Sequence, residues 1–333
     1  VAAFPLMVGG VWWWGLDGAT WGLVGSLAVN GVLNGIMLRR VCRQGSVPLE
    51  PTGWWLEWPV LTRFSLPAMF SILMLGPANW ACQAMLVHQA DGYGLLGVFN
   101  AALRIKQLPE MVLGMLMGPL LPILSEIHSK QEGRSYGRAL HLAFAVSVGL
   151  VAAPALLQAA VPWITLWPYG ASYAGHDALV KWMMLHGVLV GLFWPLGSII
   201  ASMGRMWFGF MFNFAVSGCY LLLSWLLVPR YQAAGLAAAY AITQLVTSLP
   251  CLAYIVRHEP DMVRGVPLFR WTAIVLALYG GCVLVQASLA DGWYALMTGI
   301  VAGGCVLWLA TDTIWTQIRN ATEHGPVGGN VRA

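Results

Sequence analysis

Charge is what this chain has least of. Lys, Arg, Asp and Glu make up 9% of its 333 residues, where soluble domains carry about 25%. Hydrophobic residues reach 59% and the mean hydropathy is +0.71, which leaves too little polar surface to cover a water-soluble globule. Paired or clustered cysteines are lacking too. Cys42, Cys82, Cys219, Cys251, Cys282 and Cys305 show no CxxC spacing and mostly fall in apolar runs, so neither a disulfide framework nor a zinc site is expected. No lysine-tipped phosphate loop, HExxH, GxSxG or paired-acid loop occurs. That excludes an ATP-driven motor within the chain and leaves no catalytic constellation, so neither an enzyme nor a cofactor is expected. The formal net charge of +4 is small, and no basic patch with interleaved aromatics suggests nucleic acid. The opening VAAFPLMVGGVWWW lacks the charged region and cleavage site of a signal peptide; it reads as a chain that begins inside a transmembrane helix.

What is abundant is long apolar stretches. Ten can be marked: Val1–Trp14, Trp21–Leu38, Leu66–Val87, Gly94–Ile123, Leu140–Val161, Leu179–Met203, Trp207–Val228, Gly235–Val256, Trp271–Leu289 and Tyr294–Ile314. Most approach the roughly 20 residues that span a bilayer, so the expected fold class is all-α, a polytopic membrane helix bundle of about ten helices. The connections alternate in charge. Arg39, Arg40, Arg43, Arg63, Lys130, Arg134, Arg138, Arg205, Arg257, Arg264, Arg270, Arg319 and Arg332 lie on one side; the other side holds Arg230 and Lys181. The positive-inside rule makes the Arg-rich side cytoplasmic and places the C-terminus there. Trp12–Trp14, Trp163, Trp167, Tyr169, Trp293 and Tyr294 fall near the opposite interface, as belt aromatics do. The longest outer connection, Ala159–Ala178, reads as a re-entrant or interface-lying turn. The polar, Gly-rich end from Arg319 onward reads as a disordered cytoplasmic tail. One weak internal echo is present: GATWGLVGSLAVN (Gly18–Asn30) matches YQAAGLAAAYAIT (Tyr231–Thr243) with Gly22 laid on Gly235, as duplicated transporter halves would show.

Two bases and one acid stand inside the fourth apolar stretch. Arg104 is ten residues past Gly94, roughly 15 Å along a helix and so near the middle of a hydrocarbon core about 30 Å thick. A charge there costs about 3 kcal/mol on insertion scales, and such groups usually face a polar cavity. Asn100, Arg104, Lys106, Gln107 and Glu110 fall within an arc of roughly 160° on a helical wheel. Pro109 among them suggests a bend. Two readings of Lys106 and Glu110 stay open, since a spacing of four also suits a structural ion pair. Asn79 and Gln83, one turn apart, either share the cavity or bond a neighbouring helix. His186, Asn213, Gln244 and Thr247 read as interhelical hydrogen bonders.

Three stretches carry a family resemblance: RFSLPAMFSILMLGPANW (Arg63–Trp80), GYGLLGVFNAALRIKQLPEMVLGMLMGPLLPILSE (Gly92–Glu126) and LVPRYQAAGLAAAYAITQL (Leu227–Leu245). Together they resemble the Wzx-like polysaccharide flippases of the multidrug/oligosaccharidyl-lipid/polysaccharide superfamily. The resemblance implies two helical lobes around a central cavity that works by alternating access, with the first lobe incomplete here. Residues 1–38 would be the last two helices of that lobe, 39–63 a cytoplasmic linker, 64–258 the six-helix C-terminal lobe, 259–318 two additional helices and 319–333 the tail. It implies a bacterial inner-membrane protein that moves an undecaprenyl-pyrophosphate-linked oligosaccharide outward, surrounded by membrane lipids and beside a polysaccharide polymerase. Arg104 and Lys106 would then neutralise the diphosphate, and Asn100, Gln107, Asn79 and Gln83 would bond sugar hydroxyls. Glu110 would exchange the proton or sodium ion that drives the cycle. A cation-coupled multidrug exporter is the nearest alternative, and a membrane-embedded polysaccharide polymerase or ligase the next.

Overall fold

The computed structural model describes residues 3–45, 55, 58–129, 133–202, 205–258, 268–288 and 292–323. Among them there is no strand. In chain order the helices are α1 (Ala3–Gln44), α2 (Trp58–Val60), α3 (Leu66–Val87), α4 (Gly92–Met117), α5 (Leu120–Ser129) and α6 (Gly133–Ser147). They continue with α7 (Ala153–Ala160), α8 (Pro162–Leu166), α9 (Asp177–Ser202), α10 (Met206–His258), α11 (Leu268–Ser288) and α12 (Gly292–Glu323). Contacts divide the chain into two compact units, Val1–Pro59 and Val60–Ala333. Part of the 39–63 linker (46–54 and 56–57) lies outside the described residues, as do Lys130, the Arg134 side chain, Arg264, Asp291, Arg332 and the segment ends Val1, Met203 and Leu289.

Eight of the described helical spans are long and apolar enough to cross a membrane, and two of these are reversals rather than rods. Helix α1 breaks at Trp14–Gly15, and α10 breaks at Gln232. In a straight helix Leu6 and Gly22 would stand about 24 Å apart at roughly 1.5 Å per residue. Instead a Cβ on Gly22 would overlap the Leu6 carbonyl, and Gly10 and Gly18 press backbone to backbone. In α10 a Cβ on Gly235 would likewise overlap the Leu227 carbonyl. The ten apolar segments of the sequence are therefore present. The two breaks also share one backbone conformation: Gly15 has φ 58, ψ −135 and Gln232 has φ 50, ψ −127. Gly18 and Gly235 each follow three residues later. The internal echo is thus real in geometry but one helical turn out of register in sequence, with Gly18, and not Gly22, the counterpart of Gly235.

In the Val60–Ala333 unit, α9 is the hub: α4, α5, α6, α7, α8, α10 and α11 all pack on it. Its sequence is apolar over most of its surface, which suits an enclosed helix, and Met183, Met184, Val188, Leu189 and Leu192 are buried. Two glycines let neighbours approach. A Cβ on Gly191 would lie 3.1 Å from the Val151 Cβ, and one on Gly187 would lie 3.2 Å from the Lys106 Cγ. Ser147 Oγ donates to the Gly191 carbonyl at 2.5 Å. Between α6 and α7 the chain makes one π-helical turn, Val148–Ala152, just ahead of Pro154, whose missing N–H disturbs the ladder there. The expected Gly94–Ile123 segment is split: α4 ends at Met117 and α5 starts at Leu120, across Gly118–Pro119. Helices α11 and α12 pack on each other and on α7, so they belong to this same unit. Helix α12 runs to Glu323, five residues into the expected tail, because no Gly or Pro interrupts it before Gly325–Pro326; 324–333 lie outside the described residues.

The connection after α7 holds α8 and two 3₁₀ turns, Trp167–Tyr169 and Ala171–Tyr173. Pro162, Thr165 and Leu166 are buried while Trp163 and Trp167 are exposed. The belt aromatics Trp12–Trp14, Tyr169, Trp293 and Tyr294 are exposed as well.

The reversals generate a stability prediction. Gly235→Val should lower stability by about 1–3 kcal/mol through overpacking, whereas Gly218→Val, with nothing within 4 Å, should cost much less. Gln232→Gly should raise stability by about 1 kcal/mol, since a non-glycine residue at that φ is strained. Thermal unfolding of the detergent-solubilised variants checks all three.

Candidate functional site

Helix α4 builds the site because its polar residues fall on two different faces. Asn100, Arg104, Gln107, Lys106 and Glu110 share one arc of the wheel, but Arg104 and Lys106 stand at its opposite edges, so packing against α9 separates them. Arg104 and Gln107 are exposed, in line with the exposed apolar residues Leu108, Met111, Val112 and Met115. Arg104 lies at the midpoint of the 26-residue helix and has no ion-pair partner among the described residues. Asn100 is half-buried between the two faces. The helix stays continuous through Pro109.

Lys106 is 4% exposed. Its Nζ lies 2.8 Å from Glu110 Oε1 and 2.9 Å from His186 Nδ1 on α9. An ammonium can only donate, so His186 Nδ1 carries the lone pair and the imidazole is neutral, with its proton on Nε2. Glu110 is 14% exposed and so keeps an edge outside the packed interior. The three groups sum to zero charge. Of the two readings of Lys106 and Glu110, the structure displays the ion pair, with His186 added from 80 residues away.

A second polar layer adjoins the first. The Tyr240 ring stands edge-on to His186 at 5.2 Å between centroids, and its hydroxyl donates to Asn79 Oδ1 at 3.0 Å. Asn79 is thereby bound to a neighbouring helix, while Gln83, one turn on, is half-buried. Tyr220 packs 4.2 Å from Tyr240, and its buried hydroxyl has no hydrogen-bond partner among the described residues. Phe99, fully buried, closes the other side of Tyr240 at 5.8 Å. Helices α3, α4, α9 and α10 thus meet at one polar centre within an apolar unit. His186 and Tyr240 are the members that sequence reasoning did not place there; the lone mid-helix histidine was the one available signal.

Other polar groups are occupied elsewhere. His176 Nδ1 faces the backbone carbonyls of Tyr173 and Ala174, and Asp177 Oδ2 accepts from Gln286 at 3.4 Å. No cluster of three or more His, Cys, Asp or Glu able to hold a metal occurs among the described residues. An apolar groove of about 710 Å³ runs between Ala145–Leu157 and Gly299–Ile314. Thr311 is its one polar lining side chain, so it suits hydrocarbon, and it shares no residue with the polar centre.

No protein-family model and no curated protein matches the chain. Among solved structures, the chain is similar in fold to the lipid II flippase MurJ in its inward closed conformation. The TM-score is 0.59 at 14% identity, over 95% of this chain and 66% of that one. The chain therefore spans about two-thirds of the length of the flippase it matches, and at this identity the likeness is one of fold.

The ion pair generates a second prediction. Lys106→Met should lower stability by about 3 kcal/mol, the low end for breaking a buried pair, because Glu110 keeps its exposed edge. Lys106→Met combined with Glu110→Gln should recover most of that loss. A double-mutant cycle on thermal unfolding checks the coupling.

Proposed function

We propose that this chain acts in a flippase that carries an undecaprenyl-pyrophosphate-linked oligosaccharide across the bacterial cytoplasmic membrane, in the manner of the Wzx-like polysaccharide exporters. The observation that carries the reading is an exposed arginine at the midpoint of an apolar membrane helix, Arg104 on α4. The fold likeness to a lipid II flippase over nearly the whole chain supports it. A pyrophosphate with attached sugars cannot cross hydrocarbon unaided, so its carrier needs a hydrated cationic lining. Arg104 supplies a bidentate donor for the diphosphate, and Gln107 and Asn100 offer hydrogen bonds to sugar hydroxyls beside it. Lys106, Asn79 and Gln83 belong to the inner layer and take part only after that layer rearranges. Glu110 is the acid that exchanges the driving cation. The Arg-rich connections face the cytoplasm, with the C-terminus, and transport runs by alternating access.

A cation-coupled drug exporter is the reading this charge arrangement favours less. Lys106 and Glu110 cancel, and the charge left on the exposed face of α4 is Arg104, which attracts anions. A polymerase or ligase would need free acid–base groups at the outer surface, where His176 and Asp177 are engaged with neighbours.

The test is complementation of a flippase-deficient bacterium that makes a matching sugar, using the complete gene at equal membrane levels. Arg104→Ala should lower surface polysaccharide by about tenfold or more, the loss of a charge-assisted contact of roughly 1.5–3 kcal/mol. Lipid-linked sugar should accumulate on the cytoplasmic leaflet, and Arg104→Lys should restore part of the export. Equal export by Arg104→Ala would remove the cationic role of this residue. Failure of the wild type to export any matched sugar would overturn the flippase reading.

A further inference from the structure

Transport as proposed assigns the driving cation to Glu110 without saying what that cation is or what it moves. We propose that Glu110, Lys106 and His186 form a proton-binding site, in which a proton taken up on His186 Nδ1 displaces Lys106 and drives α4 away from α9. The purpose of the site rests on the flippase reading; its chemistry does not.

The argument starts from the contact between Lys106 Nζ and His186 Nδ1, 2.9 Å. The Nδ1 lone pair is the one acceptor in that contact, and it is also where a histidine takes its second proton. When hydronium gives its proton to Nδ1, its O–H bond breaks as the N–H bond forms, water leaves, and the Lys106 N–H···Nδ1 hydrogen bond is lost. Two cations then stand in contact away from water, an arrangement that cannot persist. Lys106 must withdraw, which frees Glu110 to face the imidazolium. The Lys106 stem is part of the contact between the two helices. Its Cγ lies where a Cβ on Gly187 would be only 3.2 Å away, so the side chain is laid directly on the α9 backbone. Withdrawal takes away a contact that holds α4 on α9, and the opposite face of α4 carries Arg104.

The surroundings decide which cation fits. A metal ion would have to share the site with an ammonium, and the described residues offer no cluster of metal-ligating side chains. A proton needs no ligand shell. From α10 the site is faced by Tyr240, with Tyr220 and its unpartnered hydroxyl behind it; from α3 comes the neutral Asn79. The 147–160 stretch against α9 carries no titratable residue. His141 of α6 bonds Gln317, Tyr279 of α11 donates to the Lys181 carbonyl, and Cys251 of α10 and Cys282 of α11 are free buried thiols. Glu126 of α5 also has a partner. The exposed edge of Glu110 and the half-buried His186 give the proton its route.

The complete protein in lipid nanodiscs, in sodium-free choline buffer, allows a direct reading. Infrared difference spectra between mildly alkaline and mildly acidic pH should show imidazole protonation that loses one histidine's worth of signal in His186→Asn. An amide oxygen can stand in for Nδ1 as acceptor from Lys106 but cannot take a proton, so the variant keeps the contact; His186→Gln serves if it does not fold. Adding sodium should leave the wild-type signal unchanged. In sodium-free vesicles, a pH gradient should stimulate wild-type flipping of lipid-linked sugar and leave His186→Asn unstimulated. Identical infrared spectra for wild type and variant, or a sodium-dependent signal at this site, would overturn the proton site even if flipping proceeds. An infrared signal as expected, with no flipping of any lipid-linked sugar, would overturn the flippase reading and leave the proton site standing.

Discussion

An ammonium group enclosed in an apolar helix bundle must be neutralised in place, and much of the Val60–Ala333 unit is arranged around that requirement. Lys106 is 4% exposed. Taking an ion out of water costs several kcal/mol even after relaxation, and a single partner rarely offsets it. Here two partners converge: a carboxylate one turn along the same helix and an imidazole from the neighbouring one. The second partner has a structural price of its own, since α4 and α9 must approach closely enough for Nζ to reach Nδ1. Gly187 makes that approach possible, because any side chain there would meet the Lys106 stem. A charge, a histidine and a glycine on two helices thus fix one another's positions. Apolar packing alone would let these helices slide or rotate with little penalty, and directional bonds remove that freedom.

The same requirement gives α4 two electrical faces. Its inner face sums to zero through Lys106, Glu110 and His186. Its outer face carries Arg104 and Gln107 beside an apolar strip. A helix neutral inside and positive outside can attract an anion without being destabilised within its own bundle. Had both bases turned outward, Glu110 would have lost its partner. Had both turned inward, one ammonium or guanidinium would have lacked a counter-charge.

Helical wheels hide this division. The wheel places Asn100, Arg104, Gln107, Lys106 and Glu110 in one arc, and hydropathy alone cannot cut that arc in two, because the cut is made by where α9 packs. His186 was legible as a mid-helix histidine but not as a partner of Lys106, since nothing local in sequence links residues 80 apart. The apolar segments were legible because a bilayer imposes their length and the side-chain chemistry records it directly. The repeat was legible only to within a turn. Gly22 and Gly235 look alike as letters, yet the reversals are set by the backbone at Gly15 and Gln232, and a glutamine in a glycine-like conformation carries no sequence signal. The helix reaches Glu323 because residues 319–323 hold neither Gly nor Pro, and a polar composition alone does not end a helix.

The break at Gln232 bears on how the Val60–Ala333 unit can change state. Helix α10 supplies Tyr240 to the polar centre from the limb that follows Gln232, and Tyr220 from the limb that precedes it. Both rings are anchored by the same reversal, so they cannot part without opening the contact between Gly235 and the Leu227 backbone. Helix α4 has no such anchor. Its side-chain bond to α9 is the Lys106 bridge, and it ends at Gly118–Pro119, where the helical ladder is interrupted. If one wall of the polar centre moves, physical reasoning selects α4, the element held by bonds that a single proton can break, over α10, which is held by backbone packing that no titration alters.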